Sequence, residues 1–600
     1  MHAALSAGFV PELFGSTLVT WVLIGIGLYW AGLLALKQRG VLPEWIGTQG
    51  PIVTFHTKRG RDFLDWLAQP KRFWRAWTNL GVGIALVAMV GMFVFLLISA
   101  ISALLAPQPT GIQQPQNVLV IPGVNDFLPL SATPGIVAGL FIGLVVHEGG
   151  HGLLCRVEDI DIDSMGVAML AVLPIGAFVQ PDEESSDAAS RGGQTRMFAA
   201  GVTNNFAVTI LAFLALFWLV GSVITVAPGA AIGGVVDNSP AEAAGIGEHD
   251  RITHVDGQAV ADNQEFIDTL DEIDAGTISV TIDGEREATV DRAPIVVSTL
   301  SDGPAGLGLN ERILSVNGED VSTREDLVDA VGQAERVSIT TRAADGSTET
   351  REVPIGASMQ VLEGSPLADA GAPVDSFVVV TTADGERVHD GSALESLIEE
   401  RDGESIELTG FLNGERVSFD VTADADATQF GPAVHSGISG MQVNDIGVQF
   451  YPVKTFHSVL GGDSPNGFGS LGETFFGKIF IALMLPIMAI AGMRFNFAGF
   501  AGGVENFYEV SSVLGEPAVF AIANILFWTG WINLNLGFFN CIPAFPLDGG
   551  HILRTSTEAV LSRIPGIEAT RGMVRVVTTV VGVTMLATFL VMVFAPSVLH

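Results

Sequence analysis

Two cysteines, Cys155 and Cys541, are all that 600 residues contain. That excludes a disulfide-held scaffold, and neither residue belongs to a C-x-x-C pair of the metal-binding or redox kind. Each lies inside or at the edge of an apolar segment, where a free cysteine behaves as a small buried hydrophobe. Lysine is missing altogether between Lys71 and Lys454. From Asp237 to Asp426 roughly forty acids face about eleven arginines, and the whole chain carries a formal charge of -36. Such a surface repels nucleic acid and anionic headgroups, so neither is an expected partner of that region. An acidic, lysine-poor surface is typical of proteins from salt-loving organisms, halophilic archaea among them. The N-terminus lacks the basic n-region of a cleavable signal peptide, and its first apolar stretch is long enough to span a bilayer.

What the chain has in excess is hydrophobicity. Apolar residues make up 48% of it, and the mean hydropathy is +0.45. Charge on this scale cannot sit in lipid, so charged and apolar regions must be separate. Apolar runs of about 20 residues, the length that crosses a bilayer, occur at 16–36, 79–105, 134–154, 197–226, 475–493, 517–547 and 576–595. The expected fold class is therefore an α-helical polytopic membrane protein of about seven segments. The loop between the first two runs carries Lys37, Arg39, Lys58, Arg59, Arg61, Lys71, Arg72 and Arg75, which assigns it to the cytoplasm. Alternation then leaves the acidic region after Val226 outside. It also sends the segment after Leu547 outside, against the charges of Arg554, Arg563, Arg571 and Arg575. One of the runs 475–493 and 517–547 therefore does not cross once and straight.

The acidic region repeats itself. Asp250-Arg-Ile-Thr-His-Val-Asp-Gly257 aligns with Glu311-Arg-Ile-Leu-Ser-Val-Asn-Gly318, and Ser365-Pro-Leu-Ala-Asp-Ala-Gly371 with Ser239-Pro-Ala-Glu-Ala-Ala-Gly245. Short strands, a glycine hairpin and an amphipathic helix describe a small mixed α/β module. These stretches resemble PDZ domains, two clearly and a third loosely, a fold that binds extended peptides at a sheet edge. The expected organisation is a first segment with its basic loop (1–78) and a membrane core (79–227). PDZ-like modules follow at 228–298, 299–355 and 356–430, then a second membrane core (431–600).

Chemistry concentrates in two apolar stretches. In Val146-His147-Glu148-Gly-Gly-His151 the histidines stand four apart, so a helix projects both from one face, as two imidazoles gripping one Zn²⁺ require. Glu148 beside them can take a proton from an attacking water. Ionisable groups within an apolar span are costly without a partner, a metal or a water cavity, which makes this group a functional candidate. Far downstream, Asn540-Cys-Ile-Pro543-Ala-Phe-Pro546-Leu547-Asp548-Gly549-Gly550-His551 sets a carboxylate at the end of a membrane stretch. Asp548 can serve a metal there or simply cap a helix.

H-E-x-x-H in one span and N-x-x-P-x-x-x-x-D-G in a later one, with PDZ-like modules between, resemble the site-2 protease family of intramembrane metalloproteases. Asn540, Pro543, Asp548 and Gly549 match the second motif position by position. Ala200-Gly-Val-Thr-Asn-Asn205-Phe is similar to the family's Ala-Gly-Pro-x-x-Asn-Phe, with Val202 in place of proline. The resemblance implies zinc held by His147, His151 and Asp548, with catalysis by Glu148. It also implies that Asn205 and Asn540 orient substrate or stabilise an oxyanion, although each can equally be an interhelical hydrogen bond. His551 is expected to be structural, because catalytic zinc keeps one position open. The segment Gly176 to Glu184 can act as an edge strand holding substrate extended, or as a plain loop. The implied activity is endopeptidase cleavage of transmembrane segments in substrates already cut by another protease, in a multi-pass protein in contact with membrane lipid. Ion-coupled transport and a catalytically silent scaffold are the rival readings.

Overall fold

The computed structural model describes residues 17–599 apart from 44, 58, 106–116, 118–121, 124, 126–127, 171–172, 301–302, 344, 363–364, 402, 423–433, 436, 465–467, 490–493 and 566–569. The chain divides into two compact units, one of residues 1–225 with 454–600 and one of residues 226–453.

In the first unit, helix α1 (Thr17–Gln38) leads into a hairpin of β1 (Ile46–Gln49) and β2 (Ile52–His56). Then come α2 (Lys71–Leu105), α3 (Thr133–Val157), a second hairpin of β3 (Ile162–Leu170) and β4 (Leu173–Pro181), and α4 (Arg191–Val223). The two hairpins join into one sheet in the order β1-β2-β3-β4. That shared sheet sets the end of α1, the start of α2, the end of α3 and the start of α4 at one end of the unit. Glu158, just past α3, fastens this end, receiving Arg75 of α2 at 3.0 Å and Arg196 of α4 at 2.9 Å. Burial pushes its carboxyl up, but the two guanidinium groups outweigh that and hold it below the usual carboxylate range. Both cysteines are fully buried among apolar neighbours.

The second unit holds three modules, each a sheet with a helix. Strand β5 (Ile224–Val226) closes the first unit's leading part, and the first module holds β6 (Ala230–Val235), β7 (Arg251–Val255), α5 (Asn263–Asp271), β8 (Thr277–Ile282) and β9 (Arg286–Asp291). The second has β10 (Ile295–Thr299), β11 (Arg312–Val316), α6 (Arg324–Val331), β12 (Arg336–Arg342) and β13 (Thr348–Pro354). The third has β14 (Ala357–Gln360), β15 (Phe377–Ala383), α7 (Gly391–Glu400), β16 (Ser405–Leu412) and β17 (Glu415–Thr422). None is complete by itself. The chain returns through β18 (Val434–His435), β19 (Met441–Asn444) and β20 (Val448–Phe450). The sheets run β17-β16-β15-β14-β18, β13-β12-β11-β10-β19 and β9-β8-β7-β6-β20. The modules are thus nested, the third inside the second and the second inside the first. This corrects the division at 430, since residues 434–450 belong to the sheets rather than to a membrane core. Strands of two to four residues carry too little alternation to be legible beforehand.

Between modules one and two, Arg292 donates to Asp445 Oδ2 through Nε (3.1 Å) and Nη2, with side chains 0% and 2% exposed. Asp445→Ala strands a buried guanidinium, and we expect a loss of about 3–5 kcal/mol. Faster amide exchange across β8, β20 and α6 in the full-length variant is the measurement.

Back in the first unit, α8 (Phe475–Met484), β21 (Tyr508–Val510), α9 (Glu516–Asn540), α10 (Asp548–Leu561) and α11 (Arg571–Leu599) complete the chain. Among the described residues, five helices are long and apolar enough to cross a membrane: Lys71–Leu105, Leu130–Val157, Arg191–Val223, Glu516–Asn540 and Arg571–Pro596. Helix α1 is a further, mostly apolar helix of 22 residues. At 475–493, where a crossing was expected, the described residues form no helix of spanning length. Helix α8 has 10 residues and ends in a short turn at Pro486. Phe475 sits 5.9 Å from Phe217 near the end of α4, and Leu483 O accepts from Trp531 Nε1 midway along α9. The chain then climbs back past Trp528 and Asn524, and β21 pairs with β5. The segment enters and leaves at one end. Helix α9 consequently starts at the C-terminal end of α4 and finishes at its N-terminal end, where Arg191 donates to Ser562 (3.2 Å) and Thr195 to Thr555 (2.9 Å). Arg554 and Arg563 of this region thus lie at the end of the unit that holds the basic first loop.

Candidate metal centre

Helix α3 presents His147 and His151 one turn apart, and α10 begins with Asp548. The structure brings all three together. His147 Nε2 lies 3.2 Å and His151 Nε2 3.3 Å from Asp548 Oδ2, and the two nitrogens are 3.2 Å apart. With bonds of about 2.0–2.1 Å, the edge of a tetrahedron around zinc is about 3.3 Å. The three atoms thus form one face of such a tetrahedron and leave its fourth vertex unassigned. Asp548 Oδ2 has no hydrogen-bond donor, although its residue is only 8% exposed. A cation satisfies that atom, and the set of two imidazoles and one carboxylate suits zinc.

Why Asp548 arrives there is local. The helix cap is Leu547, with no side-chain cap bond, so Asp548 does not spend its carboxylate on capping. Added Cβ atoms at Gly549 and Gly550 would stand 2.4 Å from Ile542 O and 2.8 Å from the Ala544 backbone. The glycine pair lets residues 541–545 fold tightly over the start of α10.

The backs of both imidazoles are held by α4. His151 Nδ1 is 2.8 Å from Met197 O. A carbonyl only accepts, so Nδ1 carries the proton and Nε2 offers its lone pair to a metal. Asn205, fully buried, sets its amide Nδ2 3.2 Å from His147 Nδ1, while its Oδ1 has no partner. Rotating the amide by half a turn lets His147 Nδ1–H donate to Oδ1 and satisfies both groups. Gly201 lies between them, and a Cβ there would meet His147 Nδ1 and His151 Nε2 at 2.8 Å. Met197, Gly201 and Asn205 repeat every four residues on one face. Sequence reasoning singled out Asn205 alone, though that spacing was visible. Val202, at the position where the resembled motif has proline, retains its N–H, and α4 runs unbroken for 33 residues. For Asn205→Leu we expect a 10- to 100-fold loss of metal affinity, roughly the effect of removing an orienting partner. Zinc titration of the purified variant reads this directly.

Glu148 Oε2 accepts from the backbone N–H of Val179 at 3.0 Å. Gly176 to Glu184 thus includes the end of β4, the edge of its sheet, tied to the metal helix. Asn540 closes α9 and donates to Leu536 O of its own helix (3.0 Å). His551 stacks on Phe198 with ring centroids 4.2 Å apart. It is not one of the metal-competent group, which among the described residues comprises His147, His151 and Asp548.

Residues 135–584 match the model of peptidase family M50. Over 164 residues the chain is 28% identical to the uncharacterized protein MJ0971 of Methanocaldococcus jannaschii, covering 27% of this chain and 42% of that one. Over 146 residues it is 25% identical to a protein of Clostridium perfringens named "putative zinc metalloprotease CPE1693", covering 20% and 42%. Each match spans less than half of the relative. With both motifs and most of the sequence inside the family match, this membrane protein belongs to peptidase family M50, the site-2 protease family.

Proposed function

We propose that the protein is a zinc-dependent endopeptidase that cleaves transmembrane segments of other membrane proteins. The observation that carries this reading is the triangle of His147, His151 and Asp548 inside a membrane helix bundle, with Glu148 one residue from the first ligand. His147 Nε2, His151 Nε2 and Asp548 Oδ2 would hold the metal. When bound, zinc supplies Lewis-acid polarisation of the scissile carbonyl and a lowered pKa for the attacking water. Glu148 takes the water's proton on Oε1, its Oε2 being held by Val179 N–H, and passes it to the leaving amine. Met197 and Asn205 keep both imidazoles aimed.

A helical scissile bond is shielded, so substrate must be extended to react. The β4 edge, linked to Glu148, supports a role in receiving it as an added strand. Asn540 is the amide proposed to orient substrate, for which its N–H must leave Leu536 O. The basic end of the first unit is assigned to the cytoplasm and the acidic modules to the outside. We read those modules as PDZ-like readers that admit substrates shortened by an earlier cut.

Chelation tests the central claim. In proteoliposomes carrying a single-span reporter, stripping the metal should abolish cleavage, and stoichiometric zinc should restore it. Cleavage by a preparation shown to be zinc-free would sink the proposal.

A further inference from the structure

Turning the Asn205 amide towards His147 moves an unmet hydrogen bond rather than ending it. Once Oδ1 faces His147 Nδ1, Nδ2 takes the place that Oδ1 held, a fully buried position with no partner among the described residues. An amide donor left bare inside an apolar bundle is costly, so those N–H groups call for an acceptor. Helix α9 holds one. Asn533 is fully buried, and its Oδ1 has no donor among the described residues. Rotating this amide is no cure, because Nδ2 lies 2.8 Å from Thr529 O, and a carbonyl takes only a donor. Neighbouring contacts set the two amides at one level of the bundle. Thr209, one turn beyond Asn205 on α4, donates its hydroxyl to Gly530 O at 3.3 Å, just before Asn533 on α9. A Cβ added at Gly537, one turn after Asn533, would meet the Phe206 ring at 2.6 Å. Asn533 thus sits between the two α9 positions that α4 touches on either side of Asn205. On the α3 side a Cβ at Gly143 would stand 3.3 Å from Asn533 Nδ2, and Gly143 precedes His147 by one turn. One buried donor and one buried acceptor, each unpaired, therefore border the same stretch of α3.

We propose that Asn533 is a positioning residue for the metal centre. Its Oδ1 takes an N–H of Asn205, directly or across one buried water, and so fixes which end of the Asn205 amide faces His147. The consequence is the tautomer of that histidine. With the Asn205 oxygen towards it, His147 carries its proton on Nδ1 and leaves Nε2 bare as a ligand. With the amide nitrogen towards it, Nδ1 must accept, and the proton moves to Nε2. That atom lies 3.2 Å from Asp548 Oδ2, so a proton there occupies the place of a cation. Helix α9 then serves the centre twice, through Asn533 midway along it and through the turn after its end that carries Asp548. Asn533 belongs to neither of the two motifs, and its residue type alone reads as an interhelical hydrogen bond. What sets the positioning role apart is that it runs through Asn205 to the metal ligand. This inference rests on the zinc reading of the centre.

The test is zinc titration of the full-length protein in detergent, as wild type, Asn533→Leu, Asn205→Leu and the double variant. Asn533→Leu should lose on the order of tenfold in zinc affinity, the lower end of what an orienting partner is worth. In the Asn205→Leu background the same change should cost less than about twofold, since a residue that acts through Asn205 has nothing left to act on. Cobalt gives a second readout of the ligand geometry. The visible ligand-field bands of cobalt-loaded Asn533→Leu should be displaced from those of wild type, and the bands of the double variant should match those of Asn205→Leu. Wild-type affinity in Asn533→Leu, an equal loss in both backgrounds, or cobalt bands that stay in place overturns the proposal. Should the thermal transition show that Asn533→Leu has lost its fold, Asn533→Val decides on the same terms. Wild type that binds no zinc ends the protease reading and this inference with it. Wild type that binds zinc and cleaves the reporter, beside an Asn533→Leu with the same affinity, loses this inference alone.

Discussion

Asp548→Asn should leave the purified protein with almost no zinc, an affinity loss of at least about a hundredfold, because a ligand is removed rather than its orienting neighbour. The change is nearly isosteric, and the carboxamide retains one oxygen, so the start of α10 has no packing reason to move. What disappears is the anionic atom 3.2 and 3.3 Å from the two imidazole nitrogens. Two neutral histidines cannot hold a divalent cation firmly against water in an apolar setting. Elemental analysis of wild type beside the variant, both from detergent, decides the matter. Full zinc occupancy in Asp548→Asn would remove the long-range ligand from the account. The two-histidine motif would then need another partner, and among the described residues no other acid, cysteine or histidine joins the group.

Glu148→Gln should abolish reporter cleavage, by about 10²- to 10⁴-fold for a lost general base, while leaving bound zinc at the wild-type level. Glutamine keeps the acceptor oxygen that receives Val179 N–H at 3.0 Å, so the link between α3 and the β4 edge survives. A loss of cleavage is then a loss of proton transfer and not of shape. The same variant separates the rival functions. A transporter that uses the His/Asp cluster to carry an ion has no need of a base at this position, and zinc-replete Glu148→Gln that still supports the biological function would favour it. A silent scaffold predicts no phenotype from Asp548→Asn either.

Much of the centre was legible because its signals are short-range. Four-residue spacing puts His147 and His151 on one helix face wherever the helix goes, and an acid beside a glycine pair at the end of an apolar stretch marks Asp548. Asn205 was visible as a polar residue in an apolar span, but its task was not. Whether an amide faces substrate or the back of an imidazole depends on how α4 is rotated against α3, and that is set by Gly201 allowing close approach. The path of the run 475–493 was not legible for a similar reason. Phe475 to Met493 has the hydropathy of a crossing, but α8 turns back because Pro486 follows a helix of 10 residues whose neighbours satisfy the freed backbone.

By itself the sequence determined the apolar helices, the acidic repeat, the paired imidazoles and the basic loops, since each depends on composition or on spacing within one element. Only the tertiary structure decided that Asp548, some four hundred residues beyond the histidines, closes on them within hydrogen-bond distance. It alone revealed that three modules are completed in reverse order by residues 434–450. Both are pairings between distant stretches, and no local pattern encodes them. They follow from which buried groups need a partner, an orphaned carboxylate in one case and an unfinished sheet in the other.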